Sequence, residues 1–558
     1  MKLSLTPTHK AEKWAWILLV ALAWIAGVNL SLWDQDEAAY AGFAWNMQHT
    51  GNWLIPEFLW SEIHRKPPLL FWSIAFSYDF FGVREWVIRL PSLLALTGTV
   101  LLIRYQAATT YGVQVARLAA WVLATNVFLP HLAKLGVTDA LLLFFETLAA
   151  LSLVNFFSQP RLRHQLLFVL GTAGALLTKG PPVLILTIGM LGLILVFSPE
   201  RKTILKFHPW LLIPLAAIPL FIWGRLAWLN DGGVLISWMV DWYTLRRVGN
   251  DVLGQTGPPG YHFLVMAIGF LPVLAFLPGA FTHQIKQFGT KKIPFKSFIL
   301  IAWAIAGWVI YEVMKSKLPT YAIGAYPAVA LMIGTYLSGL PNNAVIKQRR
   351  MVWGTILYLL LSFALAMALP ILVKAPVAGQ LLFPPEALWV AYIMAFALVL
   401  PAMLAAWLLY KSQYAWALRS MFMQSVLFLI LAWQCLVPTI ESQRSATKTI
   451  AEYAALNSFG LPVILTANFQ LPSLPFYLAA NRTRYQESPE LTAWLPALEN
   501  RRQLLVFNTN NINQLEIIAK EARLGYRIEK EIPGFISDRG KFTTWYIVRG
   551  QRAFQLEE

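Results

Sequence analysis

The sequence predicts a polytopic all-α membrane protein of about 13 transmembrane helices, with interfacial helices in the first and fourth outer loops and a C-terminal α/β domain outside the membrane. Three observations carry this. Hydrophobic residues make up 57% of the 558 and charged residues only 13%, about half the charged share of an ordinary soluble domain. Apolar runs of about twenty residues recur, each enough to cross a ~30 Å hydrocarbon core. Lys and Arg gather in every second loop, as cytoplasmic loops require.

The first apolar run, Trp14 to Trp33, follows Lys2, Lys10 and Lys13. It is too long for a signal-peptide core and lacks a small-residue cleavage site, so it reads as a retained span with a cytoplasmic N-terminus. The spans expected are 13–32, 86–107, 113–131, 138–157, 165–179, 181–198, 208–228, 261–283, 297–314, 319–338, 351–374, 385–410 and 418–439. The inner loops then hold Arg161 and Arg163; Arg201, Lys202 and Lys206; Lys286, Lys291, Lys292 and Lys296; Lys347, Arg349 and Arg350; and Lys411 and Arg419. An odd number of spans puts the C-terminus outside.

Two outer loops are long, 33–85 and 229–260. In the first, Pro68 to Phe76 is apolar and aromatic but too short to span, which predicts a helix lying at the headgroups. The second carries Trp238, Trp242 and Tyr243 before Arg246-Arg247, and reads as another interfacial segment. Near Glu441 the composition shifts, dividing a transmembrane domain (1–440) from an outer domain (441–558). In the latter, Val463–Thr466 and Leu504–Phe507 read as buried strands, 511–524 as an amphipathic helix and 543–548 as a closing strand. It carries no glycine-rich nucleotide fingerprint. No internal repeat is visible, which argues against a transporter of inverted repeats.

The net charge of +17 is spread through short loops, and no basic stripe is long enough to follow a nucleic-acid backbone. The single cysteine, Cys435, excludes disulfides within the chain and thiolate zinc sites. It reads as a core or lipid-facing apolar residue.

The chemistry is expected where positive charge breaks the inside rule. Lys66, Lys134, Lys179, Arg246, Arg247, Lys315 and Lys317 fall on the outer side, beside an acidic cluster of Asp34, Asp36 and Glu37. Outward cations suit an anionic ligand, and carboxylates beside them suit proton transfer. The plainer readings are lysines snorkelling to lipid phosphates and an acidic, solvated helix start. Pro67-Pro68 would stop any helix and hold Lys66 at headgroup level. Thr138 or Asp139 can be an N-cap. His131, His262 and His283 have no metal spacing, although the first-loop carboxylates leave a divalent metal open.

Asp36-Glu37, Lys66-Pro67-Pro68, Thr138-Asp139, Leu177-Thr178-Lys179-Gly180, Ser316 to Tyr321 and Tyr326-Pro327-Ala328 occur in that order. The ordered set resembles the aminoarabinose transferase-like branch of membrane glycosyltransferases with the C-type (GT-C) fold, glycosyltransferase family 83, which is related to protein O-mannosyltransferases. The resemblance covers about the first 340 residues and implies an enzyme of the bacterial cytoplasmic (inner) membrane with a periplasmic C-terminal domain. Such an enzyme takes a sugar from a polyprenyl-phosphate donor, undecaprenyl phosphate in bacteria. It passes the sugar to a lipid A-like lipid, a glycan or a protein.

By resemblance, Asp36 matches the catalytic acid, Lys66 and Arg247 phosphate-binding residues, and Tyr321 a tyrosine near that phosphate. The chain departs from the family at three places. Arg65 stands where a glutamate commonly helps hold a metal, Asp-Glu-Ala-Ala-Tyr lacks the usual arginine, and Thr244 replaces a frequent histidine. The expected reaction is an inverting single displacement. Asp36, tuned by Asp34 or Glu37, is the base; Lys66 and Arg247, with Arg246, Lys179, Lys315 or Lys317, steady the departing phosphate. Tyr40, His64, Arg65 and Asp139 complete the candidate site. The competing readings are a protein O-mannosyltransferase-like enzyme, a flippase using Glu146 and Glu312, and a non-catalytic scaffold.

Overall fold

The computed structural model describes residues 10–58, 64–198, 201–246, 256–288, 294–340, 349–466, 471–488, 494–536 and 540–551. Every expected span has a helix at its place. Among the described residues eight helices are long and apolar enough to cross a membrane, and nine if the pair Tyr261–Gly269 and Leu271–Lys286, bent by 98°, counts as one. The other four expected spans fall short for physical reasons. Lys10–Ile25, Val113–Ala124 and Pro181–Phe197 are short, and Leu162–Lys179 carries Arg163, His164 and Lys179. Helix Leu162–Lys179 still packs closely on Thr138–Ser158: a Cβ on Gly171 would lie 2.7 Å from the backbone nitrogen of Ala149. Small residues at such contacts let membrane helices approach.

The first outer loop folds into two helices rather than the one expected. Asp36–Thr50 starts with two acids in its first turn and stops at Gly51, whose φ of 72° is left-handed. Leu69–Phe81 starts after the double proline and stops at Gly82. They meet through Tyr40, Phe43 and Phe71, whose ring centroids lie 5.1–6.4 Å apart and whose side chains are buried. The fourth outer loop holds the helices Val234–Val240 and Asp241–Arg246.

A two-stranded hairpin, β1 (Pro376–Val377) and β2 (Gln380–Leu381), caps one inter-helix turn. The C-terminal unit, named the outer unit for the side of the membrane expected for it, is a five-stranded sheet built from β3 (Val463–Leu465), β4 (Tyr485–Glu487), β5 (Leu504–Asn508), β6 (Gly525–Ile536) and β7 (Lys541–Gln551), in the order β4-β3-β5-β7-β6. β3 is parallel to both neighbours, whereas β5–β7 and β6–β7 are antiparallel. β3 and β5 are continuous apolar runs because both faces of the sheet are covered. Val463, Leu465, Leu504 and Val506 face a core shared with Tyr40, Phe43 and Ile74 of the first outer loop. Ile464, Leu505 and Phe507 face a separate core against Trp494 and Leu515. The alternation is the two-residue period of a strand, and it makes the outer unit and the first outer loop one packed body.

Candidate active site

Where the first helix ends, the chain wraps a buried guanidinium. Arg89, in the helix Glu85–Tyr105, donates to the carbonyls of Val28 (2.8 Å), Leu30 (2.7 Å) and Ser31 (3.1 Å). It also donates twice to Glu37, at 2.8 and 2.9 Å. Glu37 accepts further bonds from the backbone N–H groups of Trp33 (2.9 Å) and Gly136 (2.8 Å). Burial raises its carboxyl, but the Arg89 charge and these hydrogen bonds prevail and hold it below the usual range. A carboxylate so fully bonded fixes the loop and has no lone pair left to receive a proton.

Asp34 turns to the outer unit. Ser473 donates to it from its backbone N–H (3.0 Å) and its hydroxyl (2.6 Å). The same seam is held by Ser31 N–H to Glu441 (2.7 Å), Leu32 N–H to the Tyr477 hydroxyl (2.9 Å) and the Lys448–Glu85 ion pair.

Asp36 is the acid of the cluster that stays accessible. Its side chain keeps 58% of its surface open, and Oδ1 is 2.6 Å from Nδ1 of the mostly buried His64. Burial pushes the carboxyl up. The His64 hydrogen bond and the charges of Lys66, His64 and Lys179 outweigh that and bring it down to about 2. Tyr40 lies in the core directly behind, 1% exposed.

Lys66 donates to the hydroxyl of Tyr243 and lies 4.4 Å from the centre of that ring. The Tyr243 hydroxyl in turn donates to the carbonyl of the buried Arg65 (2.9 Å). Tyr243 thereby joins the fourth outer loop to the first. Sequence reasoning counted it only as an interfacial aromatic, and nothing in the sequence pairs it with Lys66. Neither Thr138, the first residue of the helix Thr138–Ser158, nor Asp139 in its first turn is the N-cap, which is Val137; Asp139 accepts from Lys179 at 2.7 Å. Lys179 also sits 5.8 Å from the ring of Tyr321.

Lys66, Lys179, Tyr243 and Tyr321 line one cavity of about 370 Å³ with Glu146, Tyr311, Thr320 and Gly324. Leu142, Val183, Ile185, Leu186 and Ile323 supply much of its apolar wall. Glu146 reaches across it so closely that a Cβ on Gly324 would lie 2.9 Å from Oε2. A polar end carrying two lysines above an apolar wall suits an amphiphilic anion.

The other cations divide. Lys317 is drawn back onto the carbonyl of Glu312 at 2.6 Å and its carboxylate at 3.2 Å. Glu312 also accepts from Gly260 N–H (2.6 Å) and Trp308 Nε1 (3.2 Å), so the pair braces an outer turn. Lys315 is exposed. Lys134 is fully buried over the Trp433 ring at 4.9 Å, and its ammonium has no hydrogen-bond partner among the described residues. Arg247 lies outside the described residues, as does the side chain of Arg246. The three first-loop carboxylates point to three different partners, and no group of three His, Cys, Asp or Glu side chains gathers as a metal site among the described residues.

Residues 65–223 match the family described as dolichyl-phosphate-mannose-protein mannosyltransferase. That stretch holds Lys66, Glu146 and Lys179 of the cavity lining, and Asp139, the partner of Lys179. The undecaprenyl phosphate-alpha-4-amino-4-deoxy-L-arabinose arabinosyl transferase of Edwardsiella ictaluri is 24% identical over 406 residues, 69% of each chain. The protein of the same name from Aeromonas salmonicida is 25% identical over 332 residues, 58% of this chain and 59% of its own length. The crystal structure of ArnT from Cupriavidus metallidurans bound to undecaprenyl phosphate superposes with a TM-score of 0.75 at 17% identity, covering 96% of this chain and 98% of that one. The chain is a membrane glycosyltransferase of the GT-C fold, similar to the aminoarabinose transferases. Its likeness to ArnT extends over the outer unit as well as the helices, so the whole transferase shares that architecture. The sequence alignments with these two relatives cover 69% and 59% of their length.

Proposed function

We propose that this transferase takes a sugar from an undecaprenyl-phosphate donor and passes it, with inversion, to an acceptor of the lipid A type. The reaction takes place at the outer face of a bacterial inner membrane, with residues 441–558 on the periplasmic side. The observation that carries the reading is the open Asp36 carboxylate, set within the field of Lys66 and Lys179, the two lysines that line an amphiphilic cavity. The phosphate rests on Lys66 and Lys179, with Tyr243 and Tyr321 around it, and the first isoprene units lie against Leu142, Ile185 and Leu186. The acceptor O–H gives its proton to Asp36 as its oxygen bonds to the anomeric carbon. The opposite C–O bond breaks, and its electron pair leaves with undecaprenyl phosphate, stabilised by the lysines.

Asp36 alone is a weak base because the His64 hydrogen bond and the charges of Lys66, His64 and Lys179 outweigh burial and suppress its proton affinity. A phosphate seated on those lysines offsets their charge, so donor binding itself raises the basicity of Asp36. The base is strongest when a donor is present, which protects the site from idle protonation. The names of the relatives support undecaprenyl-phosphate 4-amino-4-deoxy-L-arabinose as the donor to try first. The match of residues 65–223 to the mannosyltransferase family favours one second reading, a protein acceptor.

Purified protein in nanodiscs, offered a panel of radiolabelled undecaprenyl-phosphate sugars together with lipid A or unfolded protein, tests this. Label entering lipid A with stoichiometric release of undecaprenyl phosphate is the expected result. Transfer to protein instead selects the second reading, and donor crossing the bilayer without cleavage contradicts both.

A further inference from the structure

His64 makes the one side-chain hydrogen bond to Asp36 among the described residues, 2.6 Å from Nδ1 to Oδ1. Its own side chain is only 11% exposed, against 58% for Asp36. The segment that carries it is stiff. Lys66 precedes a proline and is confined to extended backbone, Pro67 and Pro68 have fixed φ, and the Arg65 carbonyl is bonded to Tyr243. The imidazole is therefore presented to Asp36 by a braced backbone, while the carboxylate it holds faces open space. A carboxylate on a two-bond side chain otherwise turns freely about its last torsion.

We propose that His64 is a positioning residue for proton transfer: its Nδ1–H holds Oδ1 of Asp36 so that Oδ2 is aimed at the acceptor hydroxyl. This rests on the reading of Asp36 as the base. His64 itself takes no proton from substrate. The acceptor proton goes to Oδ2, the new C–O bond forms, and the sugar–phosphate bond breaks, as above.

The Nδ1 contact makes the test sharp, because asparagine places its amide nitrogen near the Nδ1 position whereas glutamine places its own near Nε2. In His64→Ala, kcat for transfer falls by about 10²-fold, the scale of losing orientation at a reacting group, while the donor KM stays within about twofold. His64→Asn recovers most of the rate and His64→Gln little of it. All three variants are compared with wild type for thermal unfolding, and the Asn–Gln contrast stands even if the alanine variant folds poorly. Wild-type kcat in His64→Ala, an Asn variant no faster than the Gln variant, or a loss lying wholly in KM each overturns the proposal and leaves Asp36 as base intact. A wild-type enzyme that releases no undecaprenyl phosphate from any donor overturns the reading of the site, and this proposal with it.

Discussion

Glu37 and Arg89, 52 positions apart, are joined by two hydrogen bonds of 2.8 and 2.9 Å, with neither side chain open to solvent. The pair sets the path of the chain as it leaves the first helix and so fixes where Asp36 stands. Breaking a buried pair by removing one charge costs about 3–5 kcal/mol, because the partner is left uncompensated. Glu37→Gln is therefore expected to lower the thermal unfolding temperature and the yield of monodisperse protein. Arg89→Lys is expected to do the same, since an ammonium cannot reach three carbonyls and both carboxylate oxygens together. Thermal scans of purified protein in detergent check both.

The Asp34–Ser473 contact predicts a different phenotype. It ties the first outer loop to the start of helix Ser473–Ala480, within a seam that has other ties. Ser473→Ala removes the hydroxyl donor and keeps the backbone one, so the loss is about 1.5–3 kcal/mol at most, the worth of a hydrogen bond to a charged group. Hydrogen exchange is expected to quicken in residues 473–480 and 31–40 together while the membrane helices are unchanged. Faster exchange in one segment alone would show that the seam does not act as a unit.

Lys134 is a liability to stability. Burial pushes its ammonium from 10.5 down to about 7, and no hydrogen bond offsets it among the described residues. Between those values the unfolded chain holds a proton that the folded chain lacks, so this group makes stability rise with pH from about 7 to about 10.5. Lys134→Met is expected to be more stable than wild type by an amount on the order of a few kcal/mol below pH 7. That advantage shrinks as pH climbs through the window. Parallel unfolding curves at pH 6 and pH 9.5 check the sign.

How much of this was legible in the sequence depended on distance along the chain. The spans, the interfacial segment after the double proline and strands β3 and β5 follow from apolar runs and turn residues, which are local. Asp36 and Lys66 stood out because charge at a membrane boundary is costly without a partner. The division of labour among the three acids was not visible. It depends on Arg89, 52 positions from Glu37, and on Ser473, 439 positions from Asp34. Tyr243 is set against Lys66 by the packing of two outer loops, and Glu146 enters the cavity wall through helix packing, while its sequence position alone suggested transport. β6 was missed because its buried and exposed residues alternate irregularly around a register shift between Ile528 and Lys530.

The role of Asp36 in taking the acceptor proton is checked by measuring donor binding and single-turnover transfer for Asp36→Asn beside wild type. A rate loss of about 10²–10⁴-fold is expected, the contribution of a general base. Donor affinity is retained or tightened, because a negative charge beside Lys66 and Lys179 has been removed. Transfer at a wild-type rate in Asp36→Asn, with the same donor and acceptor, would contradict it.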